Sequence, residues 1–196
     1  MSQDKPSRLN VYLQEYDKLK DEQTSRIGFR DNLLYVNLAT IGAVLSFIFS
    51  KESSGEVPKY VALLVVPWIS SILGWTYLIN DDKIYALGDY FKESLSINIK
   101  AEIGEALSET EEDLLLGWEK FNKISKRRTR RKILQLVIDE FAFVAPAFLS
   151  VISYFSITPS VPPMLQYLCW IELVISGFLG IEIFLYSEIW KIFKSK

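Results

Sequence analysis

Residues 164–186 read MLQYLCWIELVISGFLGIEIFLY, with no basic side chain and only two carboxylates, Glu172 and Glu182. A helix of this length rises about 34 Å, enough to cross the roughly 30 Å of hydrocarbon in a bilayer. Three further runs of the same kind lie upstream, at 33–49, 60–79 and 133–157, each bounded by charge or by turn residues. In hydrocarbon, backbone N–H and C=O groups must be bonded within the chain, and a single run achieves this only as a helix. The expected fold class is therefore an all-α integral membrane protein with four transmembrane helices.

The rest of the chain is read outward from these runs. Residues 1–32 form an amphipathic arm and 33–80 a transmembrane hairpin with spans 33–50 and 60–80. Residues 81–132 form a helical loop, 133–188 a second hairpin with spans 133–157 and 164–187, and 189–196 a tail. Of the 22 Lys and Arg residues, six precede the first span and two separate spans one and two. Eleven lie between spans two and three, none between three and four, and three follow span four. Loop cations stay on the cytoplasmic side, so both termini and the middle loop are expected there. The first 30 residues carry no apolar core of signal-peptide type, so span one is expected to act as an uncleaved anchor.

Composition excludes several chemistries. A net charge of −2 argues neither for nucleic acid nor for a strongly acidic partner. One cysteine, Cys169, permits no intrachain disulfide and no Cys-based metal site, and the absence of His removes the commonest proton shuttle and metal ligand. No Gly-rich phosphate loop and no Ser and His pair is present, so neither enzymatic activity nor a cofactor is expected.

In the arm, Leu9, Tyr12, Leu13, Tyr16, Leu19, Gln23 and Ile27 recur at helical spacing. A helix is expected to start after Pro6 and Ser7 and to run with little break through Asp31 and Asn32 into span one. It packs on the loop or headgroups, or serves as an oligomer seam or lever. In the loop, Ile84, Leu87, Tyr90, Phe91 and Leu95 predict a helix continuing from span two; Ile97 and Ile99 alternate briefly, and 103–107 suggests a short helix. The acidic run 109–113 then opens a second long helix, through Leu114, Leu115, Leu116, Trp118, Phe121 and Ile124, that feeds span three. It ends on Lys126, Arg127, Arg128, Arg130, Arg131 and Lys132. This cluster sets topology and touches anionic headgroups at about 1 kcal/mol per cation, or it forms a ring of positive charge around an oligomer axis that collects a phosphate-rich ligand such as a nucleotide, an oligonucleotide or permeating anions.

Charged groups inside hydrocarbon cost several kcal/mol unless neutralised, hydrated or paired. Asp139, Glu140, Glu172 and Glu182 are of this kind. Asp139, Ala142, Pro146, Ser150 and Ser153 share an arc of about 80° on span three, and Cys169, Glu172, Ser176, Gly180 and Ser187 a similar arc on span four. Close helix packing, a water-filled pore in an oligomer with Glu172 and Asp139 favouring cations, and proton-coupled transport are three causes of such stripes. The spacings Gly42 to Ser46 and Ser70 to Gly74 fit the packing cause in spans one and two. Glu182 lies off the stripe, near the cytoplasmic boundary. Asp139 and Glu140 lie close enough to the basic cluster to pair with it. Trp68, Trp75, Tyr77, Tyr154, Tyr167, Trp170, Tyr186 and Trp190 fall mostly near span ends, as interfacial anchors do.

The stretches EYDKLKDEQ (15–23), RIGFRDNLLY (26–35), GWTYLIND (74–81) and LGWE (116–119) resemble a group of small bacterial four-span integral membrane proteins. A looser similarity links such proteins to membrane effectors of nucleotide-signalled antiphage defence. The resemblance implies a multi-pass protein of the bacterial inner membrane, and raises the pore expectation. Together these readings lead to a homo-oligomeric channel or membrane-permeabilising effector gated by a cytosolic signal, with membrane lipids and a nucleotide signal or signalling protein as partners. Its expected pore residues are Asp139, Ser150, Ser153, Glu172, Ser176 and Gly180. A non-conducting scaffold or partner-binding subunit and a small proton-coupled carrier are the alternatives.

Overall fold

The computed structural model describes residues 7–50, 58–103 and 128–187. Among the described residues all regular structure is helical. Four helices are long and apolar enough to cross a membrane, Arg8–Phe49, Lys59–Ile103, Arg130–Ile157 and Pro163–Tyr186, and they contain the four apolar runs. Residues 104–107 of the expected short helix, the acidic run, the helix expected to follow it, Lys126, Arg127, Trp190 and the tail lie outside the described residues.

Helix α1 covers Arg8–Phe49. It begins where Ser7 Oγ accepts the Asn10 N–H at 3.3 Å, an N-terminal cap of the usual type. Its 42 residues rise about 63 Å, twice the hydrocarbon thickness, and the helix crosses Asp31 and Asn32 without interruption. A 3-10 turn over Lys59–Leu64 leads into α2, Val65–Tyr90, which a π turn at Phe91–Leu95 joins to α3, Ser96–Ile103. Helix α4, Arg128–Asp139, passes through a second π turn, Glu140–Val144, into α5, Ala145–Ile157. Helix α6, Pro163–Tyr186, opens with proline at its first position, where a missing N–H costs nothing.

The chain divides into two compact units, Met1–Arg30 with Ile79–Arg128 and Asp31–Leu78 with Thr129–Lys196. In the first, Phe91, Leu95 and Ile99 are buried against Leu9, Tyr12, Tyr16, Leu19, Leu87 and Ile103. Tyr16 meets the Phe91 ring edge-on at 5.3 Å, and the Lys20 ammonium lies 4.7 Å from the same ring. Leu13 and Ile27 are exposed, so the packed face of α1 is narrower than the apolar spacing implied. Ile97 and Ile99 do not alternate as in a strand: both lie on α3, Ile99 buried and Ile97 exposed, because helical rotation carries residues two apart to different faces. Polar bonds close the other end of this unit. Arg30 Nη1 and Asp81 Oδ1 pair at 2.8 Å, Asn80 Nδ2 donates to the Arg26 carbonyl at 2.7 Å, and Gln23 Nε2 donates to the Ile84 carbonyl at 3.4 Å.

The second unit has two apolar clusters. One joins Leu33, Tyr77, Leu78, Ala142, Phe143, Val144, Leu179 and Ile183; the other joins Leu63, Leu64, Val151, Tyr154 and Cys169. Tyr77 and Tyr154 are buried in them, Tyr77 against Phe143 at 5.2 Å, so neither is the interfacial anchor its position suggested. Gly74 is buried where any Cβ would come within 2.6 Å of a Leu179 methyl, so the Ser70 to Gly74 spacing is a packing contact. Gly42 is not: it is exposed, and a Cβ there would meet nothing within 4 Å.

Pro146 explains the local geometry of span three. It has no N–H to give the carbonyl of residue 142, four positions earlier, and the helix passes through a π turn just before it. Asn37 on α1 supplies the missing donor, its Nδ2 reaching the Ala142 carbonyl at 2.5 Å. Its Oδ1 accepts the Ser70 hydroxyl of α2 at 3.0 Å. One fully buried amide thus bonds three spans at the position where proline breaks the backbone ladder.

Candidate functional site: a polar seam inside the second unit

The stripe residues expected on spans three and four turn inward. Asp139 and Ser150 are buried on span three and Ser153 is half-buried; on span four Cys169, Glu172 and Ser176 are buried and Gly180 is half-buried. Gly180 leaves room for its neighbours, since a Cβ there would lie 3.3 Å from Glu140 Oε2 and from a Val144 methyl. The apolar side chains between these positions, Ile171, Val174, Phe178 and Ile181, are exposed, as lipid-facing groups on a spanning helix should be. The stripe is therefore sheltered within one chain. Of the basic cluster, Arg130 and Arg131 are exposed and Lys132 is half-buried at the start of α4; Arg128 begins that helix.

Buried polar groups in this unit are of two kinds. Asn37, Ser70 and the Ala142 carbonyl satisfy one another, and Ser150 Oγ donates to the Ala147 carbonyl at 2.8 Å. Glu172 and Ser176, each 1% exposed, and Ser71, 4% exposed, make no hydrogen bond through their side-chain oxygens. Trp68 lies near the Glu172 carboxylate without making a hydrogen bond of good geometry to it. A carboxylate in such a place carries a large desolvation cost unless a proton, a cation or water neutralises it.

Three contacts fix how α2 and α6 face each other. Trp68 lies beside Glu172, Gly74 beside Leu179, and the Trp75 and Phe178 rings are 6.1 Å apart. Residues 68, 71 and 75 share one face of α2, and 172, 176 and 179 share one face of α6. Ser71 accordingly sits opposite the turn that carries Ser176, one turn along from Glu172. By helical spacing the three unbonded side chains fall on the faces of α2 and α6 that the Trp68 and Gly74 contacts turn toward each other.

Glu172 and Ser176 are legible in the sequence, Asn37 and Ser71 are not, and Trp68 reads there only as an interfacial anchor. Pro146 was the available signal for Asn37, because a proline inside a span announces an open carbonyl that some polar side chain has to reach. Among the described residues no group of three or more His, Cys, Asp or Glu side chains is placed to hold a metal ion. No protein-family model, curated protein or solved structure matches the chain.

Proposed function

We propose that the chain is the subunit of an oligomeric, gated membrane channel or permeabilising effector of the bacterial inner membrane, with both termini cytoplasmic and opening set by a cytosolic signal. The supporting observation is the inward-facing polar stripe with Glu172 buried and unbonded at its middle. A dry interior gains nothing from such a carboxylate, whereas a path for cations gains a binding step. Helices α1 and α2 are longer than their spans, which gives a cytosolic signal a mechanical route to them. The exposed Arg130 and Arg131 suit a phosphate-bearing signal or anionic headgroups. The looser likeness to antiphage effectors suggests defence as the setting.

Flux of monovalent cations through purified protein in liposomes tests the proposal. Glu172→Gln should reduce conductance or cation preference, and replacing Arg130 and Arg131 should change gating while leaving single-pore conductance alone. Tight vesicles under all conditions, with correct insertion verified, would favour the second reading, a non-conducting scaffold. That reading draws on the satisfied Asn37 bridge and the close Gly74 to Leu179 contact, which are features of ordinary helix packing. A small proton-coupled carrier would instead show pH-driven uptake that disappears in Glu172→Gln.

A further inference from the structure

We propose that the seam between α2 and α6 is a binding site for one sodium-class cation, with the Glu172 carboxylate as its charged ligand and the Ser71 and Ser176 hydroxyls as neutral ligands. Native proteins leave few buried polar groups unbonded, and each instance calls for an explanation such as an ion or ordered water. Here four oxygens lack partners, Glu172 Oε1, Glu172 Oε2, Ser71 Oγ and Ser176 Oγ, on the faces of α2 and α6 that the Trp68–Glu172 and Gly74–Leu179 contacts bring together.

The donor set selects the class of ligand. All four atoms are hard oxygens, which suit alkali and alkaline-earth cations over soft metals. A single carboxylate supplies one negative charge, so a monovalent ion leaves the buried seam neutral, whereas a divalent ion would leave it charged in a low-dielectric interior. A proton would also neutralise Glu172, but it provides one donor and would leave the two serine oxygens without a common partner. A cation engages all of them together. The nearest titratable neighbour on the same helix is Cys169, a thiol in the apolar cluster with Tyr154, which adds no competing charge when neutral. The site holds whether or not the protein conducts, so its test is independent of flux.

The test is thermal unfolding of the full chain in detergent at fixed pH and ionic strength, with sodium replaced stepwise by choline. Binding to the folded state should raise the melting temperature by about 3 to 6 °C at a sodium concentration roughly tenfold above the dissociation constant. Potassium should act more weakly because it is larger. Glu172→Gln, which keeps shape and removes charge, should abolish the sodium shift, and Ser176→Ala should reduce it. A wild-type protein whose melting temperature follows pH but ignores sodium would replace the ion with a proton. No dependence on either, or an equal sodium shift in wild type and Glu172→Gln, would overturn the site.

Discussion

Replacing Asn37 by Ala should be among the most damaging single changes in the second unit. The substitution removes the donor to the Ala142 carbonyl and the acceptor for the Ser70 hydroxyl, and leaves both buried. Interhelical hydrogen bonds in membranes average about 0.6 kcal/mol and reach about 1.7 kcal/mol. Pro146 cannot donate to the Ala142 carbonyl in the usual i→i+4 way, so this bond belongs near the upper end. Two bonds and the space vacated by the amide together give an expected loss of about 2 to 4 kcal/mol. Reversible unfolding in mixed micelles would measure it, alongside Ser70→Ala and the double variant. Ser70→Ala should cost about 1 kcal/mol in the wild type and close to nothing once Asn37 is gone, since its partner is then absent. An Asn37→Ala protein within about 0.5 kcal/mol of wild type, or a Ser70→Ala cost that is the same in both backgrounds, would refute the three-span bridge.

Gly74→Ala should destabilise by about 1 to 3 kcal/mol, because the new methyl would meet a Leu179 methyl at 2.6 Å, and adding Leu179→Ala should recover part of that loss in the same unfolding assay. Asp81→Asn should loosen the first unit by about 1 to 3 kcal/mol, since Asp81 is 3% exposed and Arg30 would lose its charged partner; hydrogen exchange at residues 79–95 should rise, and an unchanged profile would show the pair to be dispensable. Tyr90 donates to Glu15 Oε1 at 2.7 Å, and that bond, with lesser help from burial, raises its pKa above the ordinary 10.0. The proton is held more tightly in the folded state, so the contact is intact below pH 10 and is lost as pH rises through the raised value. Tyr90→Phe should remove that alkaline dependence, lowering stability slightly at neutral pH, where the bond is lost, and matching wild type once pH passes the raised value; an unchanged alkaline profile in the variant would refute it.

The sequence made the spans and the inward stripes legible for a simple reason: hydrocarbon penalises every misplaced polar atom, so position along the chain and helical rotation alone sort the residues. Asp139, Ser150, Glu172 and Ser176 were found this way, and their burial follows. The same rule fails for small residues, which lipid tolerates as readily as a helix neighbour does. Gly42 and Gly74 sit in equivalent spacings, yet only Gly74 faces another helix. It also fails for aromatics, because Tyr77 and Tyr154 are amphipathic and suit either an interface or a core. Asn37 and Ala142 are 105 residues apart, and nothing local to either specifies the other. The basic cluster was legible as charge but not as a site, since its meaning depends on partners outside the chain.

The inward orientation of the stripe constrains any opening transition. Turning Glu172 toward an oligomer axis would require α6 to rotate out of its packing on span three, exposing Leu179 and Ile183 and breaking the fit around Gly180. Parting α2 from α6 costs less in polar contacts, because Ser71, Ser176 and Glu172 have no hydrogen bonds to one another to lose, while Ser70 bonds Asn37 of α1 and not α6. Separating this seam therefore breaks no side-chain hydrogen bond of Glu172, Ser71 or Ser176 and opens their oxygens to entering water. If the protein conducts, its path should run along this seam within each subunit. Cysteines replacing Ser71 and Ser176 should then become reactive to water-soluble thiol reagents only in the conducting state, whereas Cys at position 150, whose side chain belongs to a different helix contact, should react no faster. Equal labelling of all three positions would place the path elsewhere.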